Sequence, residues 1–319
     1  MTDTNETINI RPQNWTDFFG QANLVKSLRI AIDAAKSRNE SVEHILLYGP
    51  PGLGKTTLAN IVANEMNVGL KITSGPALTR VGDLASILTG LEENDVLFID
   101  EIHRLNKVVE EALYPAMEDK AIDIILGKGP GAKNMRLDLA SFTLIGATTQ
   151  AGRISSPLRD RFGLVHRLDL YEPADLSLIV LNAAKKLKFK IDDISALEIA
   201  KRSRGTARIA LKLLRRVRDY TLVEHASASS LLATKSSLDF YNVDEEGLDE
   251  IDRRLLKAII EQYKGGPVGL ETLASLISES VETITQVIEP FLLQSGFLAK
   301  TNRGRITTDK AVNHLKRVK

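Results

Sequence analysis

The run Gly49 to Thr57, GPPGLGKTT, fits the pattern G-x-x-x-x-G-K-[ST] and is built for phosphate. Gly49, Gly52 and Gly54 let the backbone wrap an anion, while backbone N–H groups and the N-terminus of a following helix supply positive potential. Lys55 then reaches the outer phosphates, Thr56 offers a hydroxyl to Mg²⁺, and Thr57 lies beside the same phosphates. The apolar run HILLY comes before the loop and the helical pattern TTLANIVANEM follows it, giving the strand, loop and helix that this chemistry requires.

About 45 residues further on, by the spacing of such nucleotide sites, the run DVLFIDEIHR ends in two adjacent carboxylates, Asp100 and Glu101. Strand-face alternation is expected to point them differently, so that Asp100 holds the metal while Glu101 orients the attacking water. His103 has no partner at metal-ligand spacing and is assigned a structural or coupling role. A third buried strand, LIGATT, finishes in Thr148 and Thr149, and a hydroxyl there, Thr149 above all, can sense the γ-phosphate or its water.

Two further arginine clusters need an anion. In SSPLRDRFG, Arg161 directly precedes Phe162, whose burial would fix the local backbone; it is the candidate for a cation delivered to a neighbouring subunit's nucleotide, with Arg159 in support. In RGTARIA, Gly205 and Thr206 stand where a helix begins and put Arg208 in its first turn, an unfavourable place for a cation unless a phosphate faces it. Lys212, Arg215 and Arg216 read instead as a solvated basic face.

The elements that position these groups alternate apolar strands with amphipathic helices in the first half, the pattern of an α/β fold with a parallel sheet covered on both faces. From Asp175 to about Thr234 the pattern is wholly helical, with Ile209, Leu213, Leu214 and Val217 on one face. Residues 228 to 247, rich in Ser, Asp and Glu, are expected to form a linker. Beyond Leu248 come a helix, a Gly-Gly-Pro break, two shorter helices, and GFLAKTNRGRITT, two strands around a turn at Asn302 to Gly304.

Charge follows these divisions: residues 185 to 218 carry a net +9, residues 219 to 295 a net −9, and residues 296 to 319 a net +6. Lys300, Arg303 and Arg305 sit on the last hairpin and suit sequence-independent contacts to nucleic-acid phosphates, against the alternative of a solvated basic tail. No apolar run is long enough to span a membrane, no secretory pattern opens the chain, and there is no cysteine, so a cytoplasmic location is expected.

Taken in order, GPPGLGKTT, LFIDEIHR, GATT, PLRDRFG and GTARIA resemble the phosphate loop, acidic strand, first sensor, arginine finger and second sensor of the AAA+ ATPases. With GLDEIDRRLL, GGPVGLETLA and GFLAKTNRGR, nearly the whole chain resembles the RuvB family of branch-migration motors. The resemblance implies a P-loop (AAA+) ATPase domain over 1–184, a helical lid over 185–250 and a winged helix over 251–319. It implies ATP and Mg²⁺ as cofactors, a hexameric ring around duplex DNA, and branch migration of Holliday junctions in recombination and repair. Ile10, Arg11 and Tyr171 then neighbour the base or ribose, and residues 123–139 correspond to the hairpin that docks on a RuvA-like junction-binding partner. The family's wing pattern R-T-P-R-G-R reads KTNRGR here, so Lys300 keeps the first charge without the arginine fork. A clamp-loader-like ATPase and a non-hydrolysing nucleotide-dependent scaffold are the rival readings. The winged helix speaks against the first, Glu101 and Arg161 against the second.

Overall fold

A computed structural model describes residues 10–126, 133–224 and 230–317. The chain divides into two compact units, residues 1–190 with 205–212, and residues 191–204 with 213–319.

In the first unit, five strands form one parallel sheet: β1 (Ile45–Tyr48), β2 (Leu70–Ser74), β3 (Asp95–Asp100), β6 (Phe142–Thr148) and β7 (Leu164–Arg167), in the order β2-β3-β6-β1-β7. β1, β3 and β6 are buried almost throughout because helices cover both faces. On one face Leu46, Leu97, Ile99 and Leu144 pack with residues of α3 (Val81–Leu88) and α4 (Lys107–Glu118). α2 (Lys55–Met66) contacts β3 and β6 and is joined by α1 (Ala22–Arg38), whose Leu28 and Ile32 are buried. All five strands run the same way, so the phosphate loop, Asp100 and Thr148 leave the sheet at one edge, the usual ligand crevice of a parallel sheet.

Sequence patterning finds the three central strands and misses β2 and β7. These are the edge strands, and their exposed positions (Lys71, Ile72, Val165, Arg167) interrupt the apolar signal or leave it unburied. The Gly-rich hairpin is present as β4 (Ala121–Leu126) paired antiparallel with β5 (Lys133–Asp138); its tip, 127–132, lies outside the described residues. Downstream, α5 (Ser156–Arg159) is capped by Ser155 and leads into β7, and α6 (Pro173–Lys186) follows. An ATPase boundary at 184/185 would therefore cut inside α6.

The second unit contains α7 (Asp193–Lys201), most of α8 (Ala207–Glu224) and α9 (Leu231–Phe240). α9 corrects the linker expected over 228–247. Ser230 caps it, and Ala233, Thr234, Ser237 and Leu238 are buried where it meets α7, so small and hydroxylic side chains form the packed face that composition read as solvent. α10 (Glu250–Tyr263) opens with a reciprocal cap between Asp249 and Asp252. α11 (Leu270–Ile277), α12 (Val281–Thr283), a π turn (Ile284–Ile288), α13 (Glu289–Gln294), the antiparallel pair β8 (Leu298–Thr301) and β9 (Gly304–Thr307), and α14 (Asp309–Arg317) complete it. Leu255, Leu256, Ile259, Leu273, Ile288, Leu292, Phe297 and Leu315 belong to its core, and the strands follow at the expected turn.

Candidate active site and basic wing

The phosphate loop is a conformation that side chains would obstruct. Gly49 has φ 144°, and a Cβ there would overlap the Leu168 carbonyl oxygen; Gly52 has φ 83°, and its Cβ would lie 2.9 Å from Cβ of Arg208. The Gly49 N–H donates to the Thr148 carbonyl oxygen (3.2 Å), which ties the loop to the end of β6. Lys55 is buried, and its Nζ donates to the carbonyl oxygens of Gly49 (2.8 Å) and Pro50 (2.9 Å). Burial pushes the ammonium below its ordinary value, Asp100 and Glu101 pull it back up, and Arg208 lowers it further. One amine therefore feels both carboxylates and the arginine that sequence assigned to the same phosphate. Thr56 and Thr57 follow in the first turn of α2, both half-buried.

Asp100 ends β3 and accepts the Glu101 N–H (3.0 Å). The strand alternation from which the two carboxylates were expected to point differently stops at Asp100. Glu101 has already left the strand, at φ 49°, and its Oε2 accepts from the Thr149 hydroxyl (3.3 Å) and lies 3.2 Å from His103 Nδ1. The same His103 nitrogen is 2.8 Å from Thr148 Oγ1, which accepts the Gln150 N–H (2.9 Å). Burial holds His103 below the ordinary imidazole value although Glu101 raises it. The lone histidine thus bridges the acidic strand and the strand carrying both threonines. The strand-end hydroxyls and the coupling role assigned to His103 were the sequence signals for this network.

For a divalent cation, no cluster of three or more His, Cys, Asp or Glu side chains occurs among the described residues. Thr56 and Asp100 supply two oxygen donors, which fits Mg²⁺, an ion that takes few protein ligands beside nucleotide phosphates.

Arg208 lies in the first turn of α8, exposed, and its backbone N–H donates to Gly52 O (3.2 Å), so this turn rests directly on the phosphate loop. Tyr171 is buried; its hydroxyl donates to Leu53 O (3.0 Å), its N–H donates to Gly205 O (2.9 Å), and burial raises the phenol far above its usual range. Ile10 is buried and Arg11 exposed.

Phe162 is buried as expected, but Arg161 is not a loose side chain. Its Nη1 donates to Pro157 O (2.7 Å), its Nη2 to Glu118 Oε2 (3.1 Å), and the guanidinium lies 4.2 Å above the Tyr114 ring. None of these partners belongs to the phosphate loop. Arg159 is exposed at the end of α5.

On the wing, Lys300 and Arg303 are exposed. Arg305 departs from the expectation of a phosphate contact: it is 9% exposed and forms a two-pronged pair with buried Glu289, Nε to Oε1 and Nη2 to Oε2, each 3.0 Å. Its backbone bonds to Val268 in both directions. A buried carboxylate requires a cation, and Glu289 takes the one that sequence placed on the surface.

Residues 10–168, 171–244 and 245–316 match, in turn, family models described as the Holliday junction DNA helicase RuvB P-loop domain, the RuvB AAA lid domain and the RuvB C-terminal winged helix domain. The chain is 56% identical over 309 residues to the Holliday junction branch migration complex subunit RuvB of Fusobacterium nucleatum, covering 97% of this chain and 93% of that protein. The chain belongs to the RuvB family. The RuvB subunit of Clostridium kluyveri is 54% identical over 99% of this chain and 91% of its own length. The solved Thermotoga maritima RuvB Holliday junction branch migration motor superposes with a TM-score of 0.85 at 50% identity, over 96% of this chain and 98% of that one; a point mutant of it gives 0.86 at 52%, with the same coverage. As a RuvB-family P-loop ATPase the chain binds nucleotide. No described helix is long and apolar enough to cross a membrane.

Proposed function

We propose that the chain drives branch migration of Holliday junctions as a cytoplasmic hexameric ring, hydrolysing ATP at the seams between subunits. The observation that carries the ATPase in this reading is a loop shaped for phosphate with buried Lys55 seated on its carbonyl oxygens and the Arg208 turn resting on Gly52. The working division is an ATPase, a helical lid and a winged helix in that order, with the boundaries expected at 184/185 and 250/251 moved off α6 and α10, which they would cut.

When nucleotide enters, Lys55 exchanges the carbonyl oxygens of Gly49 and Pro50 for the outer phosphates. The loop glycines bring N–H groups to the same oxygens, and Ile10, Arg11 and Tyr171 border the base and ribose. Thr56 and Asp100 would hold Mg²⁺, which neutralises charge on the phosphates when bound. Glu101, released from Thr149 and His103, orients the attacking water, and Thr149 reads the γ-phosphate. Arg161 leaves Glu118 for the nucleotide of the adjoining subunit, where charge spreads over the transferred group. Arg208 shifts as the phosphate departs. Lys300 and Arg303 grip the DNA backbone, which suits a motor indifferent to sequence. Residues 123–139 dock on a RuvA-like junction-binding protein.

The test is strand exchange on a synthetic four-way junction with ATP and Mg²⁺, with and without that partner, alongside ATP turnover with and without duplex DNA. DNA-stimulated turnover coupled to migration is the expected result. Turnover indifferent to DNA, with no migration in the partner's presence, would refute the reading.

A further inference from the structure

We propose that Tyr114 is a positioning residue for Arg161: its ring face seats the guanidinium while the charged head passes from Glu118 to the nucleotide of the adjoining subunit. The proposal rests on the motor reading above and deepens it by naming what holds the seam cation ready.

Tyr114 stands on α4 and packs against the core beneath that helix. Its hydroxyl donates to Glu110 Oε1 (2.7 Å), one turn earlier on α4, and lies 3.3 Å from Ser155 Oγ. Ser155 Oγ also bonds Glu110 Oε1, and it accepts the Leu158 N–H (3.2 Å) as the cap of α5. The far edge of the ring is thus fastened both to the helix that carries it and to the cap of the helix that leads to Arg161. On the ring face lies the guanidinium, its carbon 4.2 Å from the centroid. Nη1 donates to Pro157 O (2.7 Å) inside α5, so the ring, the cap and this carbonyl form one frame around the arginine.

The frame holds the inner part of the side chain and leaves its charge exchangeable. Arg161 Nε is buried without a hydrogen-bond partner, and the side chain is 22% exposed, whereas the Glu118 side chain that meets Nη2 is 56% exposed. An arginine that only braces the fold is met by a buried carboxylate, as Arg305 is by Glu289. Here the carboxylate is half in solvent, where an ion pair binds weakly and a phosphate can take its place. Attraction to a ring face holds over a range of positions, so the head can turn toward the seam without leaving Tyr114. A side chain already confined in this way loses less freedom when it reaches the reacting phosphate.

The test uses the full-length chain carrying Tyr114→Phe, Tyr114→Leu or Tyr114→Met, the last two also combined with Arg161→Ala. ATP turnover over a range of ATP concentrations and thermal unfolding are measured on each. Leu and Met both keep apolar bulk against the core and remove the ring, so either carries the test if the other fails to fold. Each ring-free variant is expected to lower kcat about tenfold and leave the KM for ATP within about twofold, because the nucleotide is bound by the other subunit's loop. Tyr114→Phe restores the ring face and should keep at least about half of the turnover. In the Arg161→Ala background, loss of the ring should cost less than about a further twofold, since ring and arginine act as one unit. Mixing locates the effect. In rings assembled randomly from equal amounts of Tyr114→Leu and Lys55→Ala subunits, turnover should rise from about a tenth of the unaltered rate, that of the pure Tyr114→Leu ring, to about a quarter. Damage confined to the subunit carrying the change would instead lower it to about half that of the pure ring. Turnover within about twofold of the unaltered chain in the ring-free variants, equal losses in Tyr114→Phe, a further loss of about tenfold in the Arg161→Ala background, or a fall on mixing would overturn the proposal. Failure of the underlying reading looks different: Arg161→Ala itself would cost less than about tenfold.

Discussion

Replacing Arg161 with alanine separates a structural arginine from a catalytic one by magnitude. At rest its partner Glu118 is more than half exposed, and an ion pair in that setting is worth about 0–1 kcal/mol. Its position over Tyr114 adds about 0.5–1 kcal/mol. The hydrogen bond to the Pro157 carbonyl oxygen adds about 0.5–1.5 kcal/mol, so the folded chain should lose only about 1–3.5 kcal/mol, a modest drop in unfolding midpoint. A cation completing a phosphoryl-transfer site on the next subunit is worth about 10³ to 10⁵ in turnover, or roughly 4–7 kcal/mol. Arg161→Ala should therefore leave the ring intact and nearly as stable while ATP hydrolysis collapses. Mixing provides the decisive assay. In a ring assembled randomly from equal amounts of Arg161→Ala and Lys55→Ala subunits, about one seam in four joins an intact phosphate loop to an intact arginine through a head-to-tail interface. Turnover should recover toward about a quarter of the unaltered rate. If Arg161→Ala costs less than about tenfold in turnover, or if proven co-assembly restores nothing, action across the seam is refuted.

Other outcomes follow from the same geometry. Glu101→Gln should bind ATP with near-normal affinity and slow hydrolysis by about 10² or more, seen in single-turnover kinetics. Arg305→Ala should destabilise the winged helix by about 3–5 kcal/mol in denaturant unfolding, because Glu289 is left buried without its cation. Arg303→Ala should leave unfolding unchanged and lower the slope of log affinity for duplex DNA against log salt by about 1. Burial outweighs Arg204 and pushes Asp252 up to about 7, above its unfolded value of 3.8. The fold therefore favours the protonated acid, and its contribution to stability is full below pH 3.8 and is lost as pH rises through about 7. Asp252→Asn should flatten that part of the stability profile measured by urea unfolding at stepped pH.

The phosphate loop, the acidic strand and the strand ending in Thr148 were legible because each is a contiguous run whose chemistry and local conformation coincide. The turn at Asn302 to Gly304 was legible for the same reason. The edge strands β2 and β7 were not, since exposure on part of each removes the apolar run that marks a central strand. α9 was hidden because its packed face uses Ala, Thr and Ser. The turn that takes Glu101 out of the strand was not legible, because a single residue at positive φ ends the alternation on which the expectation rested.

The arginines show where each kind of information stops. Residue type and spacing alone pointed to a phosphate-binding ATPase and marked cations at 161, 208 and on the wing as candidates for anions, because those readings depend on neighbours a few residues away. Which carboxylate each cation meets was decided only by folding: Arg161 finds Glu118 across 43 residues, Arg204 finds Asp252 across 48, and Arg305 finds Glu289 across 16. A guanidinium is the same group in every sequence context. The tertiary structure fixes its partners, because burial of a carboxylate makes pairing obligatory where an exposed one would leave the cation to solvent or to a ligand.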